Sequence, residues 1–441
     1  MMLAKLFWAS LWLASSFSCF AQNTAIDSAV SRPIVILVTI DGFPARALHQ
    51  SPPMPTLLSL AASGAVAEGM IPINPTVTWP NHTTLITGVD ASHHHVVANG
   101  LLEPVPGSSK VLMKPEVDKS ILVHGDTLYD IAARNGLTVG QVDWVAVAGV
   151  KNIAWQFEEK PALAGPIAQE LIHDGSLTAD DIGQFASKSP AWRDQVWTDA
   201  AVDILKKHTP DLLLVHLLET DTLQHRYGPL TPAAFAAYAN ADHCLARIVA
   251  AVHEAGLEKR VTYIIASDHG FSSLHHLVRP AVFLRQLPEM QDVWVKAEGG
   301  HADIFLKGAD REQKAAQLAK ELRAMPGVDQ IYSNADAQRF GMPSTKETSQ
   351  APDLWITASQ DYAFEDGDSG PLVSDTPTLG QHGYPNSNPE MNALFVASGS
   401  SIRPGSHLGT FPNLQVAPTI ARILKLSLPE AQAQPLSQIL R

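Results

Sequence analysis

Three apolar runs in this chain end on acidic residues, and that placement constrains the fold and the chemistry together. Pro33 to Ile40 reads PIVILVTI and runs into Asp41-Gly42. Leu212 to Leu218 reads LLLVHLL and runs into Glu219-Thr220-Asp221, with His225 four residues further on. Val261 to Ala266 reads VTYIIA and runs into Ser267-Asp268-His269-Gly270. Unbroken β-branched and aliphatic runs of this length are expected as strands buried on both faces. A fourth run, Ala393 to Ala397, has the same character. Helical stretches lie between them, at Thr56 to Ala62, Trp192 to His208, Pro232 to Ala255, Arg311 to Ala324 and Asn413 to Leu424. The alternation predicts an α/β fold with a mostly parallel central sheet flanked by helices on both faces. In such sheets, ligands bind beyond the carboxyl ends of the strands. Carboxylates and imidazoles at three strand ends are therefore expected to converge on one site. The span 32–430 reads as one catalytic domain, with lid insertions around 89–190 and 271–390.

The residue types narrow the chemistry. Mixed imidazole nitrogen and carboxylate oxygen suit zinc. Asp221 and His225 stand four apart, so one helical turn can aim both at one ion. Asp268 and His269 are adjacent, at a strand end where a turn can direct both inward. A further segment runs Thr76-Val77-Thr78-Trp79-Pro80-Asn81-His82 and closes at Gly88. Pro80 fits the first turn of a helix and Gly88 its end. Thr78 then stands just before a helix N-terminus, where free N–H groups favour phosphate. Taken alone, the segment favours Thr78 as an ordinary N-cap.

The order Asp-Gly, Thr-(aromatic)-Pro-Asn-His, Asp-x-x-x-His-x-x-Gly-Pro, Ser-Asp-His-Gly and His-Gly-Tyr, from Asp41 to Tyr384, resembles the nucleotide pyrophosphatase/phosphodiesterases of the alkaline-phosphatase superfamily. The resemblance implies an alkaline-phosphatase-like fold and two Zn2+ ions per chain. By motif, Thr78 is the nucleophile and, with Asp41, Asp268 and His269, a ligand of one ion. Asp221, His225 and His382 are ligands of the other. Asn81 is a donor to a phosphoryl oxygen, and Trp79 and Trp144 are substrate contacts, with Trp155 in the same region. The implied reaction is cleavage of phosphodiester or pyrophosphate bonds through a phospho-threonine, on small nucleotide-type substrates. Phosphonoacetate hydrolase, a phosphomonoesterase and a catalytically dead binding protein of the same fold are the alternatives. A sulfatase is disfavoured because the nucleophile position is Thr.

The first residues read as an export signal. Lys5 is the basic region, Leu6 to Phe17 a short apolar stretch and Ala21 the small residue before the cut. This predicts a signal peptide over 1–21 and a periplasmic or secreted protein, with lipoprotein processing at Cys19 as a minor alternative. The mature chain shows no second long apolar segment, so no transmembrane segment is expected in it. A net charge of -13 argues against a surface that wraps nucleic acid. The run His93-His94-His95 is expected on the surface or in a lid.

Overall fold

The computed structural model describes residues 32–287 and 292–441, so the expected signal peptide lies outside the described residues. Eight strands form the main sheet: β1 (Ile34–Ile40), β2 (Ala65–Ile71), β3 (Val139–Val142), β4 (Trp155–Phe157), β5 (Leu212–Leu217), β6 (Val261–Ala266), β7 (Phe395–Gly399) and β8 (Ser406–Pro412). Their order is β8-β2-β7-β6-β1-β5-β3-β4. All pairings are parallel except those of β7, which runs antiparallel to β2 and β6. The sheet is mostly parallel, as expected. The run at Ala393 looked like its parallel neighbours because burial on both faces selects the same side chains in either direction.

Alternation along β1 assigns the two cores. Ile34, Ile36, Val38 and Ile40 enter the core shared with α2 (Pro190–Lys207) and α4 (Pro232–Glu254). Val35 and Leu37 enter the opposite core, with Leu85 and Ile86 of α1 (Thr78–Thr87) and Ile420 of the helix Val416–Ile423. Each such fully buried side chain contributes about 1.5–3 kcal/mol over leaving it in water.

The α1 helix is buried along its whole length despite its threonines. Thr83, Thr84 and Thr87 return their hydroxyls to the carbonyls of Trp79, Pro80 and Thr83, which satisfies them inside the core. Gly88 ends the helix with φ 73°, in the left-handed region that suits glycine.

The regions read as insertions carry smaller sheets, but 89–190 is not wholly an insertion, since it also supplies β3 and β4 of the main sheet. Leu101–Pro104 and Val111–Lys114 form a hairpin. Val293–Ala297, His301–Leu306, Leu354–Ala358 and Val328–Ser333 form a four-stranded antiparallel sheet. Ser272–Val278 pairs with Asp361–Phe364 on one side and Val373–Gln381 on the other. Among the described residues, no helix is long and apolar enough to cross a membrane.

Candidate active site

Each strand end presents its acid through a specific local device. After β1, Gly42 takes φ 67° and donates its N–H to Asp268 Oδ1 at 3.0 Å. A Cβ at Gly42 would stand 2.5 Å from the Phe271 ring, so the Asp41-Gly42 turn tolerates no side chain there. After β5, the chain enters α3 (Glu219–Tyr227), and Asp194 of α2 accepts the N–H groups of Leu218 and Glu219 at 2.9 and 3.2 Å. Gln224 ties that helix to the carbonyl of Gly42 at 2.8 Å. Asp221 and His225 therefore sit one turn apart on a fixed helix. After β6, Ser267 Oγ donates to the carbonyl of His269 and receives the Phe43 N–H, which shapes the Asp268-His269 turn.

Six side chains gather as two groups, Asp41 with Asp268 and His269, and Asp221 with His225 and His382, with one ligand atom from each residue within 4.8 Å of the others in its group. The rings of His269 and His382 stack at 3.8 Å and join the groups. His382 comes from a distant loop, which the four-stranded sheet holds in place. Gly300 N–H donates to the His382 carbonyl at 2.8 Å, and a Cβ on Gly300 would lie 2.2 Å from the Tyr384 nitrogen.

The donor set fits cations. The Nδ1 atoms of His225, His269 and His382 lie 3.2, 3.1 and 3.0 Å from the carbonyls of Gly380, Gly270 and Thr76. A carbonyl only accepts, so each Nδ1 carries a proton, and in the neutral ring each Nε2 presents a lone pair. Those Nε2 atoms face carboxylates: His225 and Asp221 Oδ1 at 3.2 Å, His269 and Asp268 Oδ2 at 3.2 Å, His269 and Asp41 Oδ1 at 3.5 Å. Asp41 Oδ1, Asp221 Oδ1 and Asp268 Oδ2 are buried with no hydrogen-bond partner among the described residues. Lone pairs facing unpartnered buried carboxylate oxygens call for positive charge between them. Burial, with the Asp268 and Asp221 charges, pushes the Asp41 carboxyl well above its ordinary range. Burial, with His269 and His225 close by, pushes His382 well below the ordinary imidazole range, consistent with a neutral ligand ring.

Thr78 is the first residue of α1 rather than its cap; Val77 occupies the cap position without a side-chain bond. Its Oγ1 lies 3.5 Å from His269 Nε2 and lines the cleft above the two groups. The capping reading of Thr78 therefore fails, because its hydroxyl is not engaged with the helix backbone.

Asn81, expected to face a phosphoryl oxygen, is committed elsewhere. Its Nδ2 lies 2.9 and 3.0 Å from the carbonyls of Val77 and Pro75, and its Oδ1 accepts Ile73 N–H at 2.8 Å and Asn413 Nδ2 at 2.9 Å. It is fully buried. It ties the segment before α1 to the helix and has no donor left for a ligand. Asn99 lines the cleft instead, with its Oδ1 accepting the Trp79 N–H at 3.0 Å.

The cleft holds about 310 Å³ and is lined by Thr78, Trp79, Asn99, Asp143, Asp221 and His382, among others. A neighbouring hollow of about 520 Å³ shares Trp79 and Asp143 and adds Trp144. Trp79 thus reaches the cleft itself. Trp144 is buried edge-on against His82 and meets only the outer hollow. Trp155 lies in neither; it stacks on His208 at 3.6 Å. A third cluster, Glu170, Asp203 and His208, already has the Lys207 ammonium 2.7 Å from Asp203. His94 is buried in contact with Thr84 Oγ1, and His95 stacks on His124, so the histidine run does not join the site.

Two features gave no sequence signal. His216 lies inside an apolar strand run and was indistinguishable from it. Asp143 follows a short strand in the irregular region. Both reach the site, with His216 Nε2 3.0 Å from Asp41 Oδ2.

A mostly parallel sheet with two carboxylate–imidazole groups and a free threonine at its carboxyl edge defines an alkaline-phosphatase-like fold. Residues 35–385 match the family described as type I phosphodiesterase / nucleotide pyrophosphatase, and the chain belongs to that family. It is 26% identical to an uncharacterized pyrophosphatase/phosphodiesterase of Schizosaccharomyces pombe, over 90% of this chain and 78% of that protein. It is 22% identical to ectonucleotide pyrophosphatase/phosphodiesterase family member 3 of Bos taurus, over 92% of this chain but 44% of that protein. For the venom phosphodiesterase of Naja atra the figures are 21%, 94% and 47%, so the chain spans less than half the length of these two relatives. Its fold matches murine ectonucleotide pyrophosphatase / phosphodiesterase 5, solved as an inactive form with AMP, with a TM-score of 0.73 at 19% identity, over 93% of this chain and all of that one.

Proposed function

We propose that the protein is an exported two-metal hydrolase that cleaves phosphodiester or pyrophosphate bonds in nucleotide-type substrates. The observation that carries this reading is Thr78, whose hydroxyl is unengaged by the helix backbone and faces two convergent, unpartnered carboxylate–imidazole groups. Asp41, Asp268 and His269, together with Thr78, would hold one Zn2+. Asp221, His225 and His382 would hold the other. When bound, the ions supply the positive charge that lowers the threonine pKa and offsets charge on the phosphoryl group.

The chain's own residues do the rest. Thr78 Oγ forms the new O–P bond as the ester oxygen departs in line, and the hydroxyl proton ends on the departing alcohol. This leaves a phospho-threonine. Water then attacks the same phosphorus, and Thr78 leaves with its proton restored. Asn99, its carbonyl held by the Trp79 N–H, offers Nδ2 donors to a phosphoryl oxygen. The α1 N-terminus adds backbone donors. Trp79 offers an aromatic wall for a base or other leaving group. Export rests on the basic and apolar leader from Lys5 to Phe17.

A diester is favoured over a monoester dianion by the charges lining the cleft. Apart from histidines, Lys160 is its basic side chain among the described residues, and it is paired with Glu116 at 2.9 Å. The test compares nitrophenyl thymidine monophosphate with nitrophenyl phosphate, with the mature protein and zinc. Preference for the diester by at least about tenfold in kcat/KM is expected, a difference of about 1.4 kcal/mol. Preference for the monoester would overturn the substrate class.

The two asparagines separate cleanly. Asn99→Ala is expected to lower kcat by about 10²-fold, the usual loss for one oxyanion donor, with a stability loss of only about 1 kcal/mol from the single Trp79 N–H it releases. Asn81→Ala is expected to lower unfolding stability by about 2–4 kcal/mol in urea titrations, because it strands buried backbone partners. The opposite pattern would restore Asn81 as the donor.

A further inference from the structure

We infer that Asp143 and His216 form a relay that positions Asp41 as a metal ligand, so that the wall of the substrate cleft is mechanically tied to one metal site. The inference rests on the two-metal reading above.

His216 stands between two carboxylates, all three side chains being at most 4% exposed. Its Nε2 lies 3.0 Å from Asp41 Oδ2, and its Nδ1 lies 3.1 Å from Asp143 Oδ2 and 3.2 Å from the Asp143 carbonyl. The Asp143 carbonyl only accepts, so Nδ1 carries a proton, and Nε2 is hydrogen-bonded to Asp41 Oδ2. The bond to Oδ2 fixes the rotation of the Asp41 carboxylate and leaves Oδ1 as its unpartnered oxygen. That oxygen is the one facing His269 Nε2, at 3.5 Å. The backbone supports the same orientation, since Thr220 Oγ1 donates to the Asp41 carbonyl.

Asp143 is itself held in an uncommon conformation. Its φ is 54°, positive for a residue that is not glycine. Such strain persists where the surroundings fix it. Here the Asp143 N–H donates to the Phe157 carbonyl at 2.8 Å, the Asp143 carbonyl accepts from His216 Nδ1 at 3.2 Å, and the carboxylate Oδ2 lies 3.1 Å from the same nitrogen as its charge partner. The same residue lines the cleft beside Trp79 and the outer hollow beside Trp144. A residue that orients a ligand without touching the metal typically changes metal affinity by about 10–100-fold. His216 is thus a positioning residue, and Asp143 holds it.

The test measures zinc stoichiometry and half-saturation of full-length mature protein by competition with a chelator. It uses wild type, Asp143→Asn, His216→Gln and the double variant, each with its metal-free thermal midpoint recorded. His216→Gln is expected to weaken one of two sites by about 10–100-fold and leave the other unchanged, with activity returning at high zinc. Asp143→Asn is isosteric, so it probes the relay even if His216→Gln folds poorly. It is expected to weaken the same site by a smaller factor, and the double variant to lose no more than His216→Gln alone, as members of one chain are not additive. Unchanged affinities at both sites, or losses that multiply, would overturn the relay. Fewer than two zinc ions on the wild type would instead remove the two-metal reading beneath it.

Discussion

Thr78→Ala is expected to abolish turnover while leaving a folded protein that still binds zinc. Among the described residues its hydroxyl has one hydrogen-bond partner, His269 at 3.5 Å, so the substitution breaks little that holds the fold. Its backbone place at the start of α1 is compatible with alanine, the best helix former. The proposed chemistry, by contrast, loses the atom that would form the covalent bond. Removing a nucleophile of this kind costs at least about 10³-fold in kcat, and often nearer 10⁶-fold, the residue being transition-state binding by the remaining site. Single-turnover assays with the nitrophenyl diester measure this, alongside acid-quench capture of phosphorylated wild-type protein. A Thr78→Ala variant retaining more than about a tenth of wild-type turnover would show that water attacks directly, and would leave the threonine a spectator.

The sequence was most legible where local order and tertiary placement coincide. Asp41, Asp221, Asp268 and His269 each follow a strand buried on both faces, and such strands deliver their next residues to one edge of the sheet. His225 follows from helical spacing. His382 carries no comparable local signal. It reaches the site because Gly300 permits a close approach between the four-stranded sheet and its loop, a contact between positions more than eighty residues apart. Residue-by-residue inheritance of motif roles was weakest at Asn81. The motif marks the position but not the use of its amide, which depends on three carbonyls that turn back onto it. His216 failed in the opposite way: an apolar run hides a functional imidazole, since burial is what the run and the relay both require. Asp143 and Asn99 sit in irregular segments, where neither period nor cap predicts direction.

Chelation of the mature protein is expected to remove activity and lower its thermal midpoint together. The fold gathers three carboxylate oxygens without hydrogen-bond partners beside imidazole lone pairs. Without a cation, burial and the Asp268 and Asp221 charges push the Asp41 carboxyl well above its ordinary range, while the imidazoles of His225 beside Asp221 and of His269 beside Asp268 hold those two below it against the effect of burial. Binding to the folded state alone stabilises it by about 4 kcal/mol for each site at a thousandfold excess of metal over Kd. For a chain of this size that is about 5 °C per site, by the usual scaling of unfolding entropy with length. Zinc added back should restore both quantities over one concentration range, because the same ions serve stability and turnover. Differential scanning calorimetry and diesterase assays on a shared zinc titration would show this. Activity that survives complete removal of metal, confirmed by elemental analysis, would sink the two-metal reading whatever the midpoint did. A midpoint that falls while zinc fails to restore turnover would point to a different cation in these two groups.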